Sequence, residues 1–189
     1  MFLDPYLAGF LLGDGCLYKL SNGAHAVWVD QSMKNAVFLR RIKDCMKSYG
    51  RIHEYEYVDK RHGARKRRVL VYSKMLFEKF KKLKANPIAF IESIDENGFI
   101  EFLSGLLDSD GTVTDRIVFY SSSRLLLEKI SERLERLSIR SHIYKFGKIF
   151  GLQVHDQRSL TILMRKLSSG KLRAPARLRN IGSRKTERF

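Results

Sequence analysis

The sequence contains few cysteines, few prolines and no long apolar run. Its two cysteines, Cys16 and Cys45, lack the spacing of metal ligands and are too few for a disulfide framework. No apolar stretch is long enough to span a bilayer, and the first residues lack the charged start and small-residue cleavage site of a secretory signal. No flexible linker rich in glycine, serine or proline occurs either. We therefore expect a soluble, rigidly packed, intracellular protein that is not secreted and has no membrane partner.

Histidines and acidic residues are also scarce. The chain has 36 Lys and Arg against 20 Asp and Glu, which leaves a net charge of +16 over 189 residues. An excess this large indicates a polyanionic partner, although charge alone does not distinguish DNA from RNA. The five histidines lack the clustering of a zinc site: His25, His53, His62, His142 and His155.

A nine-residue pattern occurs twice in the chain, as LAGFLLGDG at residues 7–15 and as LSGLLDSDG at residues 103–111. Each copy is an apolar run with helical periodicity that is followed by an aspartate and a glycine, so we predict two buried helices. Residues typical of helix ends flank both runs: Asp4, Pro5 and Gly15 for the first helix, and Asp95 or Asn97 and Gly111 for the second.

Small residues interrupt the two runs at matching places. Such residues let helix backbones approach more closely than the usual distance of about 8–10 Å. We therefore predict that the two helices pack together and bring Asp14 and Asp110 together at their ends. The small residues are Ala8, Gly9 and Gly13 in the first run, and Ser104, Gly105 and Ser109 in the second.

Asp14 and Asp110 are the candidate chemical groups. A single Asp-Gly pair after a helix is explained by turn chemistry alone. Two converging carboxylates at helix C-termini, however, repel each other and the helix dipoles unless a cation lies between them. Mg²⁺ would remove the conflict because it binds carboxylate and backbone carbonyl oxygens. The carbonyl groups of Gly13 and Ser109, at the helix ends, are further candidate metal ligands.

With two such motifs in one basic chain, the sequence resembles the LAGLIDADG homing endonucleases in their single-chain form. The second copy departs from the motif only at Ala to Ser, Ile to Leu and Ala to Ser. The resemblance covers nearly the whole chain and implies an α+β fold. In this fold two pseudo-symmetric αββαββα halves pack through the two LAGLIDADG helices, and antiparallel sheets form a DNA-binding saddle.

The resemblance also implies an activity. A monomer would bind double-stranded DNA at a long pseudo-palindromic target. Two or three divalent ions, expected to be Mg²⁺, would be shared by the paired aspartates. Both strands would be hydrolysed across the minor groove, which is only about 6 Å wide, to leave short 3′ overhangs.

The hydrophobic periodicity predicts the same order of elements in both halves. We predict a first half at residues 1–85, a linker at 86–95, a second half at 96–170 and a basic C-terminal tail at 171–189. The expected elements after the first motif are a strand, turn and strand at 17–31, a helix at 34–49, a hairpin at 51–73 and a helix from Met75. After the second motif they are strands at 112–121, a helix at 123–138, a hairpin at 141–155 and a last helix from Leu160.

The hairpin at 51–73 is dense in basic residues and contains Tyr55 and Tyr57. Such a run is either a solvated surface ribbon or a strand pair that lies in a DNA groove, and the net charge favours the second interpretation. Strand alternation is expected to place Trp28, Asp30 and at least one of Arg65 or Arg67 on the face away from the helices, where they would read bases. The candidate DNA-binding residues are Trp28, Asp30, Arg65, Lys66, Arg67, Arg68 and Lys145.

Members of the family usually add a basic residue and a polar, water-ordering residue to each active site. By alignment order, the resemblance implies Gln31 as the polar residue of the first site, and Lys74 and Arg158 as the basic residues. Ordinary helix-start surface charge is the alternative explanation for Lys74 and Arg158. Where some relatives carry lysines this chain has serines, which leaves Ser122 as the counterpart of Gln31 and makes the two sites chemically unequal.

Two other classes of function remain open. An RNA maturase would use the same basic surface to assist splicing, with host intron RNA as its partner. A catalytically inactive DNA-binding regulator of the same fold would need no metal-binding acids, and a helix-turn-helix would normally accompany it. The retention of Asp14 and Asp110 favours the metal-dependent endonuclease, and the scattered histidines argue against histidine-based cleavage.

Overall fold

A computed structural model of the chain describes residues 3–33, 36–60 and 63–173, with the backbone alone at residues 36, 37 and 173. It divides into two compact units, Met1–Ser109 and Asp110–Phe189. Within these described ranges no helix is long and apolar enough to cross a membrane.

The first unit contains a four-stranded antiparallel sheet in the order β1-β2-β4-β3. Helices α1 and α3 pack on β2, and α2 packs on β4. The elements are α1 Pro5–Asp14, β1 Gly15–Lys19, β2 His25–Ser32, α2 Ala36–Met46, a 3-10 turn Lys47–Tyr49, β3 Ile52–Asp59, β4 Ala64–Tyr72, α3 Lys74–Ala85, α4 Pro87–Ser93 and α5 Glu96–Asp110, whose last residue begins the second unit.

The second unit repeats this order after α5. Its four strands form an antiparallel sheet in the order β5-β6-β8-β7, and α6 packs on β6 and β8. The α+β fold with two repeated antiparallel sheets is therefore confirmed. The elements are β5 Thr112–Val113, β6 Ile117–Ser121, α6 Arg124–Arg136, β7 His142–Phe146, β8 Ile149–Val154, α7 Gln157–Lys166 and α8 Gly170–Arg173.

Both motif helices begin as their flanking residues predict. The Asp4 carboxylate accepts a hydrogen bond from the backbone N–H of Leu7 at 2.8 Å, and Pro5 is the first helical residue. Helix α5 begins directly after Asp95, whose carboxylate accepts from the N–H of Gly98 at 2.8 Å. Gly15 follows α1 with extended backbone, because β1 starts at that residue.

The segments predicted as a linker and as a C-terminal tail both contain helix. Residues 86–95, the predicted linker, lie in the first unit and contain α4, and the Asn86 side chain caps this helix by accepting from the N–H of Ala89 at 3.0 Å. The basic tail starts inside α8, and its remaining residues, 174–189, lie outside the described part of the chain. So do Lys34 and Asn35, at the start of the predicted second helix.

Candidate active site and nucleic-acid interface

The first and second motif helices touch through their backbones. A Cβ atom added at Gly9 would lie 2.0 Å from the carbonyl oxygen of Phe102, and one added at Gly105 would lie 2.0 Å from the carbonyl oxygen of Tyr6. Ordinary van der Waals contact with a Cβ begins at 3.4 Å, so no larger residue fits at either place. The predicted close approach is therefore confirmed at these two glycines.

A buried hydrogen bond also joins α1 to α5. The Tyr6 hydroxyl donates to the Asp108 carboxylate at 2.9 Å, and Asp108 is 1% exposed. Burial, followed by the nearby Asp108 charge, raises the pKa of Tyr6, so the phenol stays protonated and remains a donor. The Arg41 guanidinium lies 3.6 Å from the centre of the Tyr6 ring and forms an ion pair with Glu101 of α5.

Asp108 was missed by the sequence analysis. It is an acid inside an apolar helix, at the motif position where the first copy has Leu12. A buried acid needs a hydrogen-bonding or charged partner. An aspartate in the middle of an apolar helix is therefore the sequence feature that could have indicated this contact.

Asp14 is the last residue of α1 and is half-buried. The side-chain amide of Gln31, in β2, donates a hydrogen bond to its carboxylate. Gln31 is 5% exposed, although it is polar. A buried amide held against a carboxylate fixes the direction of that carboxylate. The structure thus places Gln31 beside Asp14, while its catalytic role stays a prediction.

Asp110 is the last residue of α5 and has a different neighbour. Its side chain is exposed, but partial burial still raises its pKa, and the positive charge of Lys171 acts in the opposite direction. The Lys171 ammonium donates to the backbone carbonyl of Gly111 at 2.7 Å. The sequence indicates Lys171 only as the start of a basic tail, because no local pattern connects it with Gly111, 60 positions earlier.

Strand register identifies the true counterpart of Gln31 in the second half. In the first sheet, Cys16 is the second residue after Asp14 and pairs with Trp28, and Gln31 lies three positions after Trp28. The same step along β6 leads to Ser121. The two matching pairs are Cys16 with Trp28 in the first sheet and Thr112 with Val118 in the second.

The prediction that Ser122 is this counterpart is therefore wrong. Strand β6 ends at Ser121, so Ser122 lies beyond the sheet and is exposed. The Ser121 hydroxyl accepts a hydrogen bond from the backbone N–H of Ser123 at 3.0 Å. The short serine side chain is thus used in the turn before α6, whereas Gln31 reaches its aspartate.

Lys74 and Arg158, both exposed, do not occupy equivalent positions. Lys74 is the first residue of α3, after its N-cap Ser73, whereas Arg158 is the second residue of α7, after its N-cap Asp156. The alignment that made them counterparts was wrong by one residue, because the caps, rather than the basic residues, set the helix starts. Arg158 lines a cavity of about 470 Å³ with Arg140 and Asp156, and Asp110 is not among the lining residues.

In the described part of the chain, helices cover one face of the first sheet and leave the other face open. Val27, Val29, Val69 and Val71 are completely buried on the covered face. Register places Trp28 and Asp30 of β2, Lys66 and Arg68 of β4, and Tyr55 and Tyr57 of β3 on the opposite face.

An ordered polar network lies on this open face. The Arg68 guanidinium donates to both carboxylate oxygens of Asp30, at 2.6 and 2.7 Å, and to the Tyr55 hydroxyl at 3.2 Å. It also lies 4.7 Å from the centre of the Trp28 ring and 5.2 Å from that of Tyr57. These contacts hold Arg68, chiefly through Asp30, which raises its pKa further.

The expectation that Arg65 or Arg67 shares this face with Trp28 and Asp30 is wrong. Gln31 pairs with Arg67 and Asp30 pairs with Arg68, so Arg67 lies on the helix-covered side and Arg68 on the open side. Alternation within one strand predicts which of its residues share a face. It does not predict which residues of β4, a strand distant in sequence, pair with those of β2.

The basic hairpin also carries its own acids. Arg65 and Arg67 pair with Glu56 at 2.9 and 2.5 Å, and Lys66 pairs with Asp59 at 2.7 Å. Exposed ion pairs contribute only about 0–1 kcal/mol each, so phosphates can replace these acids at little cost. The hairpin is therefore less positive than its run of basic residues suggests.

The open face of the second sheet is aromatic rather than basic. Tyr120, Tyr144 and Phe146 lie on it, and Gly151 leaves room for the Tyr144 ring, since a Cβ there would lie 2.7 Å from Cζ of that ring. The predicted DNA-binding residue Lys145 is exposed but alternates onto the other side of β7.

The oxygen atoms at the two motif aspartates are of the kind that a hard divalent ion binds. Each half-site offers a carboxylate beside backbone carbonyl groups at a helix end, and Mg²⁺ binds such oxygens while keeping water and substrate phosphates as its other ligands. In the part of the chain that the structure describes, no group of three or more His, Cys, Asp or Glu residues could hold a metal ion. A site with few protein ligands is therefore the kind that these residues could form.

Comparisons with known proteins agree with this architecture. A family model described as LAGLIDADG-like domain matches residues 100–189. Mesophilic variants of the homing endonuclease I-DmoI are 21% identical, with a TM-score of 0.67 and coverage of 90% of this chain and 97% of theirs. I-DmoI in complex with DNA and Mn is 24% identical, with a TM-score of 0.63 and coverage of 88% and 97%.

A curated relative gives a further match. Elongation factor 2 of Methanopyrus kandleri is 29% identical over 163 residues, which cover 82% of this chain but only 12% of the length of that protein. Residues 100–189 thus match the model of a LAGLIDADG-like domain. The two motif copies and the two repeated sheets give the chain a fold similar to that of the homing endonuclease I-DmoI.

Proposed function

We propose that this protein is a site-specific endonuclease that hydrolyses both strands of double-stranded DNA with divalent metal ions. The observation that carries the proposal is that Asp14 and Asp110 each end a motif helix, and that these helices touch through Gly9 and Gly105. The similarity of the fold to a homing endonuclease solved with DNA and Mn supports both the substrate and the need for a metal.

The metal ligands that we propose are the Asp14 and Asp110 carboxylates and the carbonyl oxygens of Gly13 and Ser109. Bound Mg²⁺ would activate water and neutralise charge on the phosphate and the leaving oxygen. Gln31 orients the Asp14 carboxylate through its amide.

The proposed reaction is a direct hydrolysis. The oxygen of water attacks phosphorus and the bond from phosphorus to the 3′ oxygen breaks. The attacking water loses a proton to solvent, and the departing 3′ oxygen takes up a proton from solvent. One strand end keeps a 5′ phosphate and the other a 3′ hydroxyl. The aspartates take no covalent part. Cutting across the minor groove would leave short 3′ overhangs, as the family resemblance implies.

DNA recognition is assigned to the open faces of the two sheets. Arg68, fixed by Asp30 and by the rings around it, is suited to reading a base edge, because its direction is set before DNA arrives. Lys66, on the open face of the first sheet, is proposed to contact a phosphate. Arg65, Arg67 and Lys145 lie on the other side of their strands and are not assigned to these faces. Because one chain carries two motifs, we propose a monomer on a pseudo-palindromic target, inside the cell. The solved relative holds DNA, and we propose DNA rather than intron RNA as the partner.

A cleavage selection tests this function. The purified full chain is incubated with a library of randomised duplexes in Mg²⁺, in Mn²⁺ or in EDTA, and the cut ends are sequenced. We expect one family of related sites, cut in both strands, only when a divalent ion is present. Selective binding without cutting in either metal would identify a catalytically inactive DNA-binding regulator instead. Cutting in EDTA would contradict the proposed chemistry.

A further inference from the structure

Lys171 is held in place by the segment that follows α7. Leu167 is 8% exposed and Ser169 is completely buried, so this segment is anchored in the second unit. The Ser169 hydroxyl accepts a hydrogen bond from the backbone N–H of Lys171 at 3.2 Å. The lysine side chain is half-buried, and its position is therefore set by the fold.

The ammonium group of Lys171 lies at the end of the second motif. It donates to the carbonyl oxygen of Gly111 at 2.7 Å, and Gly111 is buried and directly follows Asp110. The C-terminus of a helix carries partial negative charge, to which the Asp110 carboxylate adds. The hydrogen bond to Gly111 therefore places the positive charge of Lys171 at the end of the helix that Asp110 closes.

The two half-sites therefore differ in the side chain that supports each aspartate. Asp14 has the neutral amide of Gln31, whereas the equivalent Ser121 is engaged with the backbone of Ser123. Arg158, which the sequence suggested as the basic residue of the second half, lines a cavity that does not include Asp110. Among the described residues, Lys171 is a cation whose ammonium group contacts this end of α5, at the carbonyl oxygen of Gly111.

We infer that Lys171 is the basic residue of the Asp110 half-site, supplied from the C-terminal end of the chain rather than from a strand end or the start of α7. Its positive charge stabilises the negative charge that develops on the phosphate of one DNA strand during hydrolysis. The inference rests on the proposed nuclease function. It also predicts that the two strands depend differently on this one residue.

Strand-resolved cleavage tests the inference. A duplex target from the selection above is labelled separately on each strand and cut by the wild type, Lys171→Met, Lys171→Gln and Lys171→Arg. Loss of one charge-stabilising donor commonly lowers a rate by about 10²–10³-fold. We expect that loss on one strand only with Met and with Gln, accumulation of nicked product, and substantial recovery with Arg.

Two controls separate charge from structure. Lys166→Met removes the same charge from the exposed end of α7 and should leave both strands unaffected. Lys171→Gln can still donate to Gly111 without a charge, so full recovery with Gln would show that only the hydrogen bond matters and would overturn the inference. Thermal melting and DNA binding without metal check that each variant is folded.

The outcomes distinguish the inference from the function on which it rests. If the wild type cuts neither strand in any divalent ion, the proposed function fails and the inference fails with it. If the wild type cuts both strands and Lys171→Met cuts both at wild-type rates, or slows both equally, only the role of Lys171 is refuted.

Discussion

Replacing Gly105 by alanine should destabilise the protein, although the same change in an ordinary helix stabilises it. The new Cβ would lie 2.0 Å from the carbonyl oxygen of Tyr6, where ordinary contact begins at 3.4 Å. Because the obstructing atom belongs to backbone, α1 and α5 must move apart. Overpacking lowers the free energy of unfolding by about 1–3 kcal/mol, and we expect a loss of about 3 kcal/mol here because the obstructing atom is backbone. The higher helix propensity of alanine offsets up to about 1 kcal/mol of this loss.

The net loss is therefore about 2 kcal/mol, which lowers the Tm by roughly 4–8 °C in a chain of this size. Thermal unfolding followed by circular dichroism measures it. Ser104→Ala is the matched control, since the hydroxyl of this buried neighbour donates to the carbonyl oxygen of Ile100 in the same helix at 2.9 Å. It should change the Tm by far less. An increase in Tm with Gly105→Ala would refute backbone contact between the motif helices.

Tyr6→Phe removes the donor to buried Asp108 and should lower the free energy of unfolding by about 1–3 kcal/mol, measured in urea; no change would show that the bond is unimportant. Burial raises the folded-state pKa of Asp110 above its ordinary value of 3.8, so ionisation opposes folding as the pH rises through that window. At pH values above the pKa of Asp110, the Asp110→Asn variant should therefore have a higher Tm than the wild type, and below that pKa the two should have the same Tm. The difference should be at most about 2 °C because the side chain is exposed. Asp30→Asn releases the bidentate contact with Arg68 and should change base preference at one target position by about 1–3 kcal/mol, with an unchanged salt dependence; an equal loss for every target would contradict base reading.

The parts of the fold that the sequence predicts correctly depend on residues that lie close together in the chain or on small residues at a helix contact. Asp4 and Pro5 start α1 at the predicted place because a cap and its proline act on adjacent residues. Gly9 and Gly105 predict the contact between α1 and α5, because only small residues permit such a close approach.

What the sequence did not predict depends on register and on tertiary contacts. The pairing of β2 with β4 put Arg68, not Arg67, beside Asp30. The step along β6 made Ser121, not Ser122, the counterpart of Gln31. Lys171 reaches Gly111 across a large sequence separation, and no local pattern could indicate that contact.

Cleavage by the double variant Asp14→Asn, Asp110→Asn tests the central claim most directly. The variant and the wild type are compared on one selected target, with binding measured without metal and strand cleavage measured in Mg²⁺. We expect wild-type binding, because the proposal assigns the affinity to the sheets. We also expect complete loss of double-strand cleavage, because it assigns the metal ions to the two carboxylates. Full cleavage by the double variant would show that the motif aspartates are not the active site.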